Sequence, residues 1–420
     1  MPQTLAEKII AHASGNDSVT PGDIVTCAVD LAMTHDSSGP RAAGAYLDKL
    51  GVPVWDMDKL VIITDHYVNT DDPDYNEIQT HASEWVRDRG VKHFIENKGI
   101  CHVVLPQAGH LKPGMFAVGG DSHSCTGGAF GAFMVGVGAT EMAGVLATGE
   151  IWVRVPETVR IEVSGKLSKG VSAKDIDLKL CGDYGMMGFN YQAIEFGGPA
   201  VEAMSVEERM TLANMAAEMG AKTGYCEPDA KTAAQLKEWG AGDVEVDRWR
   251  SDADAVYAKT VDIDGDNLPP YVAAPSSPEN AVPITEHVGT KLDQAYVGAC
   301  TGAKLDDLRM AAEVLKGRKV KEGFKFVVAP STIQIGEAAK ANGSLAIIEE
   351  AGGRILPSGC GGCIGIGEAR LEEDAVGIST TNRNFVGRAG PKSSKLFLAS
   401  PYTVAASAIT GEITDPRDFL

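Results

Sequence analysis

The chemistry in this chain starts with sulfur. Cys360-Gly-Gly-Cys363 stands in PSGCGGCIGIG, a CxxC surrounded by glycine. Several readings of such a pair compete: a zinc half-site, a thioredoxin-type redox pair, an iron–sulfur half-site, or chance. Zinc needs a second Cys or His pair at finger-like spacing, and the sequence has none. A redox pair normally opens a helix, whereas glycine on both sides predicts a loop wrapped around something. Cys300, in YVGACTGAKL, lies 60 residues upstream at the end of an expected strand. Soft thiolates in a glycine-rich pocket suit an iron–sulfur cluster, and three ligands on four irons leave one iron open. The remaining cysteines, Cys27, Cys101, Cys125, Cys181 and Cys226, read as small buried hydrophobes.

Histidine and arginine supply the next candidates. Several of the 9 histidines sit in polar loops: His35 in THDSS, His66 in TDHY, His102 in GICH, and His123 in GGDSHS. A lone histidine is ordinarily a satisfied core or surface residue. Asp65-His66, and Asp121 two residues before His123, follow expected strands, where loops on α/β scaffolds carry function. Arg383 and Arg388, five apart in STTNRNFVGR, could fork onto a carboxylate by bidentate hydrogen bonds. Two solvated surface arginines are the competing reading.

These groups need a scaffold to position them. Helical spacing in TLAEKIIAHA, PRAAGAYLDKLG and HASEWVRDRGVKHFIENKG alternates with strand-like KLVIITDHY and ICHVVLP. Such alternation means a mainly parallel sheet. ETVRIEVSGKLSKG shifts to a period of two and opens a new set after about residue 157, followed by the amphipathic VEERMTLANMAAEMGAK. The Pro- and Ser-rich stretch at 263–283 is the best candidate linker. Beyond it KLDQAYVGAC, DDLRMAAEVLKG, FKFVVAP and QIGEAAKANG repeat the strand–helix theme. The expected domains are 1–157, 158–287 and 288–420.

Composition agrees with an α/β enzyme: 420 residues, 44% hydrophobic, 23% charged, 48 glycines. A net charge of −19 with no basic run argues against a constitutive nucleic-acid partner, while leaving room for a small anion held by local arginines. No apolar run spans a membrane and the first residues lack a signal-peptide pattern, so the expected location is cytoplasmic.

Taken together, GDSHSCTGGAFGAF, the cysteine of GACTG, GCGGC, STTNRNFVGR and MTLANMAAEMGAKTG resemble the aconitase superfamily, specifically the large subunits of its two-chain dehydratases. The likeness runs from about residue 34 to 388. It implies three α/β/α domains around one [4Fe–4S] cluster per chain, held by Cys300, Cys360 and Cys363. In the family pattern Asp65 and His66 handle the proton on the departing hydroxyl. His102, Asp121, His123 and Glu195 of NYQAIEFGG match residues around the iron-bound water. For Glu195 an ordinary solvent-facing glutamate is the competing reading. His35 and Ser122 fall at polar, substrate-facing positions, and Asn382, Arg383 and Arg388 match the carboxylate-binding loop.

Two departures stand out. The family's Cys-Thr-Asn is Cys300-Thr301-Gly302 here, which removes an amide beside the cluster and puts the substrate, not the cluster, in question. The swivelling domain, with its Gly-Ser-Ser-Arg-type loop and proton-abstracting serine, has no match: the Ser37–Arg41 and Lys392–Lys395 segments differ in context or lack the arginine. The resemblance therefore implies a large subunit that needs a separate small subunit, as a heterodimer or higher heteromer. Its expected reaction is dehydration and isomerisation of a hydroxy di- or tricarboxylate, led by 3-isopropylmalate, with homoaconitase and 2,3-dimethylmalate dehydratase as alternatives. A cluster-free RNA-binding relative and a structural zinc protein are the readings from other classes.

Overall fold

Parallel strands with buried, β-branched sequences build three separate sheets in the computed structural model, which describes residues 2–68 and 70–420. The first sheet runs in the order His93–Glu96, Leu60–Thr64, Leu31–His35, Phe116–Gly119, Phe133–Gly136, all parallel. Leu31–His35 and Leu60–Thr64 are buried at every position, as strands covered on both faces must be. The middle sheet orders Thr223–Cys226, Ala193–Gly197, Thr158–Ser164 and Lys259–Asp264, again all parallel. The third has seven strands: Lys395–Ala399, Val376–Ser379, Gln294–Val297, Lys325–Val328 and Arg354–Ile355 are parallel, with an antiparallel hairpin on one edge.

That hairpin, Tyr271–Ala273 with Ala281–Pro283, occupies the segment expected to be a linker. Its prolines mark a turn and an edge strand, where a missing N–H is tolerated. Three further expectations change. ICHVVLP forms the helix Cys101–Gln107, because a short apolar run has no periodicity to separate strand from buried helix. The stretch expected as one long helix divides into the helix Pro73–Arg89 and the strand His93–Glu96, with Gly90 ending the helix in a left-handed conformation. Val206–Met215 is buried nearly all round rather than amphipathic, since it lies between the first and middle sheets' elements.

The first and third units are stitched together through backbone. Ile100 donates to the Ser331 carbonyl at 2.8 Å and Ile333 to the Lys98 carbonyl at 2.9 Å. Gly99 sits between them at φ 135°, and a Cβ there would lie 2.4 Å from Thr332 Cα, so only glycine permits the approach.

Candidate active site

In parallel α/β sheets, ligands gather outside the carboxyl ends of the strands. That is where the singled-out residues converge. His35 ends the central strand of the first sheet, Asp65 and His66 follow Leu60–Thr64, and Asp121 follows Phe116–Gly119. From the third sheet, Cys300 follows Gln294–Val297, Cys360 and Cys363 follow Arg354–Ile355, and Asn382 and Arg383 follow Val376–Ser379.

Asp121 is the hub of the first group. Its carboxylate lies 2.9 Å from His102 Nε2, 3.4 Å from His123 Nδ1, 3.6 Å from His35 Nε2 and 3.8 Å from His66 Nε2. Burial opposes ionisation, but the His102 charge and the bonds from His102, His123 and His35 hold its carboxyl well below the usual range. The side chain is still 16% exposed, so the hub has an open side, and Ser122 next to it is exposed. His35 and His66 stack with centroids 4.0 Å apart. His35 lies between Asp121 and Asp36; burial opposes its charge, but their hydrogen bonds raise its imidazole to about 10.

Asp65 is fully buried and orients His66. Its Oδ1 lies 2.6 Å from His66 Nδ1, while Oδ2 accepts from the Cys101 amide at 2.7 Å. Burial pulls the His66 imidazole down, and the Asp65 carboxylate more than reverses it, so His66 is raised. Asp65 also reaches the cysteine loop, its carbonyl accepting from the Cys360 amide at 2.8 Å. Asp36 was not singled out from the sequence, yet it accepts from the His66 and Tyr67 amides at 3.2 Å each.

The three thiols come together as free cysteines. Cys300 and Cys363 each place Sγ 3.8 Å from Asn382 Oδ1, and the Cys360 thiol bonds the Cys363 sulfur. That bond and the Arg388 charge hold Cys363 well below an ordinary thiol, although burial opposes them. Asn214 Nδ2 donates to Cys300 Sγ at 3.2 Å, and Asn382 donates to Asn214. Buried amide donors aimed at sulfur suit thiolate ligands. A Cβ on Gly302 would fall 2.0 Å from Thr380 Cβ, so a side chain at that position would run into Thr380. Asn214 and Asn382 supply the amides at Cys300.

The two arginines are committed differently. Arg383 Nε donates to both oxygens of Glu218, at 2.8 and 3.0 Å, and among the described residues its terminal nitrogens make no hydrogen bond. Arg388 Nε donates to the Cys363 carbonyl at 3.0 Å, tying it to the cysteine turn. Glu218 also accepts from His123 Nε2 at 2.8 Å, so one buried carboxylate joins the histidine group to the arginine loop. The bonds from His123 and Arg383 overcome its burial and keep it ionised, its pKa lowered. Sequence reasoning missed Glu218, whose signal is a carboxylate four residues after Asn214 in NMAAEMGA.

Glu195 is not part of this group. It lies on the strand Ala193–Gly197 of the middle sheet, fully buried, with bonds from Arg160, Ser251 at 2.7 Å, Tyr257 at 2.9 Å and Tyr225 at 3.0 Å. Among the described residues no hydrogen bond or ion pair joins it to the histidines or cysteines. Its strand points it into the packing between sheet and covering segment, so the expected place near the iron-bound water goes unfilled by Glu195, and the carboxylate found beside His123 is Glu218.

Known proteins share this chain's pattern throughout its length. The family described as "Aconitase family (aconitate hydratase)" matches residues 7–292 and 286–411. The chain is 45% identical to the 3-isopropylmalate dehydratase large subunit 1 of Methanopyrus kandleri, covering 100% of both chains. It is 43% identical to the methanogen homoaconitase large subunit of Methanocaldococcus jannaschii, covering 99% of this chain and 100% of that one. Among solved structures, aconitase X of Thermococcus kodakaraensis matches with a TM-score of 0.50 at 15% identity, covering 90% of this chain and 88% of the other, a likeness of fold alone.

Proposed function

We infer the function of this chain from one premise: it belongs to the aconitase family, as the large subunit of a hydro-lyase. We propose that it works on 3-isopropylmalate together with a separate small subunit. Homoaconitase is the close alternative, because relatives named for either activity match over their full length at 45% and 43% identity. 2,3-Dimethylmalate is a third candidate substrate. The cytoplasm is the proposed location, and no helix among the described residues is long and apolar enough to cross a membrane. The proposed domains follow the three sheets, and the pairing of Tyr271–Ala273 with Lys395–Ala399 supports a second boundary before Tyr271.

The observation that carries the reading is the convergence of Cys300 and Cys363 on Asn382, with Cys360 bonded to Cys363. These three would hold a [4Fe–4S] cluster. When bound, such a cluster supplies a Lewis-acidic iron that makes hydroxide a feasible leaving group. The chain's own residues do the rest. Asp65 holds His66 in the orientation that lets it pass a proton to the departing oxygen. Asp121 keeps His35, His102 and His123 directed at one point. The free arms of Arg383, with Arg388 beside it, offer a planar fork to a substrate carboxylate, with Asn382 and Ser122 as polar flanks. The base that removes the carbon-bound proton is assigned to the small subunit.

The test is reconstitution. Loaded with iron and sulfide without oxygen, and mixed with its small subunit, the chain is expected to convert 3-isopropylmalate faster than homoaconitate. Faster turnover of homoaconitate would transfer the assignment to the alternative, and full activity without the small subunit would refute the two-chain reading.

A further inference from the structure

Two lysines are hidden behind the cysteine loop, and neither belongs to the machinery described above. Lys174 is 1% exposed and Lys304 0%. Lys304 has an acidic partner: its Nζ bonds Asp307 at 2.7 Å, Thr211 at 2.8 Å and the Cys300 carbonyl at 3.1 Å. Lys174 has none within hydrogen-bonding distance. Its position is unfavourable twice over, being buried and in the first turn of the helix Ala173–Tyr184, where the helix field repels a cation. Only what its Nζ meets can offset that.

What it meets is the backbone of two site loops. Nζ donates to the Thr381 carbonyl at 2.8 Å and lies 3.4 Å from both Thr301 Oγ1 and the Thr380 carbonyl. Thr301 Oγ1 in turn donates to the Thr380 carbonyl at 2.8 Å. Thr301 adjoins Cys300 and Thr381 adjoins Asn382, the residue whose amide touches two of the sulfurs. One ammonium from the middle unit thus joins the cysteine loop to the arginine loop. Three residues along the helix, Asp177 has both oxygens buried without a hydrogen-bond partner among the described residues, and burial pushes its carboxyl well above the usual range. Burial also pushes the Lys174 ammonium down, and an anion placed beside it acts in the opposite sense.

We propose that Lys174 is a positioning residue whose buried ammonium locks Thr301 and Thr381, and through them Cys300 and Asn382, in the arrangement that receives the anionic iron–sulfur group, and supplies part of its counter-charge. This rests on the cluster reading of the preceding subsection.

Lys174→Met and Thr301→Val test it in the full chain, with Lys179→Met, on the same helix but paired with Asp183 at the surface, as the control. Two quantities are read besides melting: the rate of iron loss in air after loading with iron and sulfide, and the rate at which iodoacetamide labels Cys300 in the unloaded chain, with buried Cys27 as the negative control. Lys174→Met is expected to speed both roughly tenfold, the worth of one charge-assisted bond, while Cys27 stays unlabelled. Thr301→Val should speed both about fivefold and Lys179→Met neither. Wild-type rates in Lys174→Met and Thr301→Val overturn the proposal. If Lys174→Met does not fold, Thr301→Val decides alone. A wild-type chain that takes up no iron sinks the cluster reading and this inference with it, whereas iron and labelling unchanged across the variants sink this inference only.

Discussion

Two buried carboxylates invite comparison. Glu195 in the middle sheet and Asp121 in the first both follow from strand geometry, and both are surrounded by hydrogen-bonding side chains. Glu195 is met by an arginine, two tyrosines and a serine, and none of its side chain reaches water. Asp121 is met by four imidazoles and keeps an open side. A carboxylate saturated by fixed donors can only hold a fold together. One ringed by titratable groups and reachable from outside can do chemistry.

The sharpest way to break that contrast is at the sulfurs. Cys300→Ser, Cys360→Ser and Cys363→Ser should each lose the cluster, since a hydroxyl replaces neither the charge nor the softness of a thiolate. Cys226→Ser, on the strand beside Glu195, should keep it. Iron and sulfide counts decide, and a full complement in Cys360→Ser would remove the ligand assignment. Next comes the pair of carboxylates itself. Asp121→Asn should lower turnover about a thousandfold with melting little changed. Glu195→Gln should do the reverse, costing about 3 kcal/mol of stability, the low end for breaking a buried pair because Arg160 keeps some contact with water. Unfolding curves and kinetics on both variants would reverse the roles if the losses were exchanged.

The arginines test how far the reactive region extends. Arg383→Lys and Arg388→Lys keep the charge but lose the planar fork, so turnover should fall roughly tenfold to a hundredfold with the 400 nm absorbance intact. Unchanged kinetics would leave them as supports for Glu218 and Cys363. The smallest effect is expected from Tyr257→Phe, which deletes one of the Glu195 donors: about 1 kcal/mol in unfolding and nothing in kinetics.

Much of the candidate site is legible in the sequence, for a physical reason. Asp65-His66 and the GGDSHS turn announce themselves because polar residues directly after a buried strand have few structural uses. The cysteines were legible by type and by glycine context. Glu195 was misplaced because a sequence shows a carboxylate but not whether its acceptors are already filled. Glu218 and Asn214 escape notice because they fall in a stretch that reads as an amphipathic helix, whose polar residues are expected to face water, and only the fold brings His123, Arg383 and Cys300 to them. The helix Cys101–Gln107 reads as a strand in the sequence, as short apolar runs carry no phase.

The backbone stitch at Gly99 and Thr332 limits how this molecule can move. It anchors the segment bearing His102 to the turn after Lys325–Val328, which Ser331 ties in turn to Ala303 beside the Cys300 loop, by two amide hydrogen bonds and a contact that admits no side chain. The stitch couples the segment bearing the histidines to the one bearing the thiols and opposes a hinge between them. In the two-chain reading proposed above, the moving wall belongs to the small subunit. On that reading, exchanging the wall would exchange the substrate, which accords with relatives of 45% and 43% identity carrying different names.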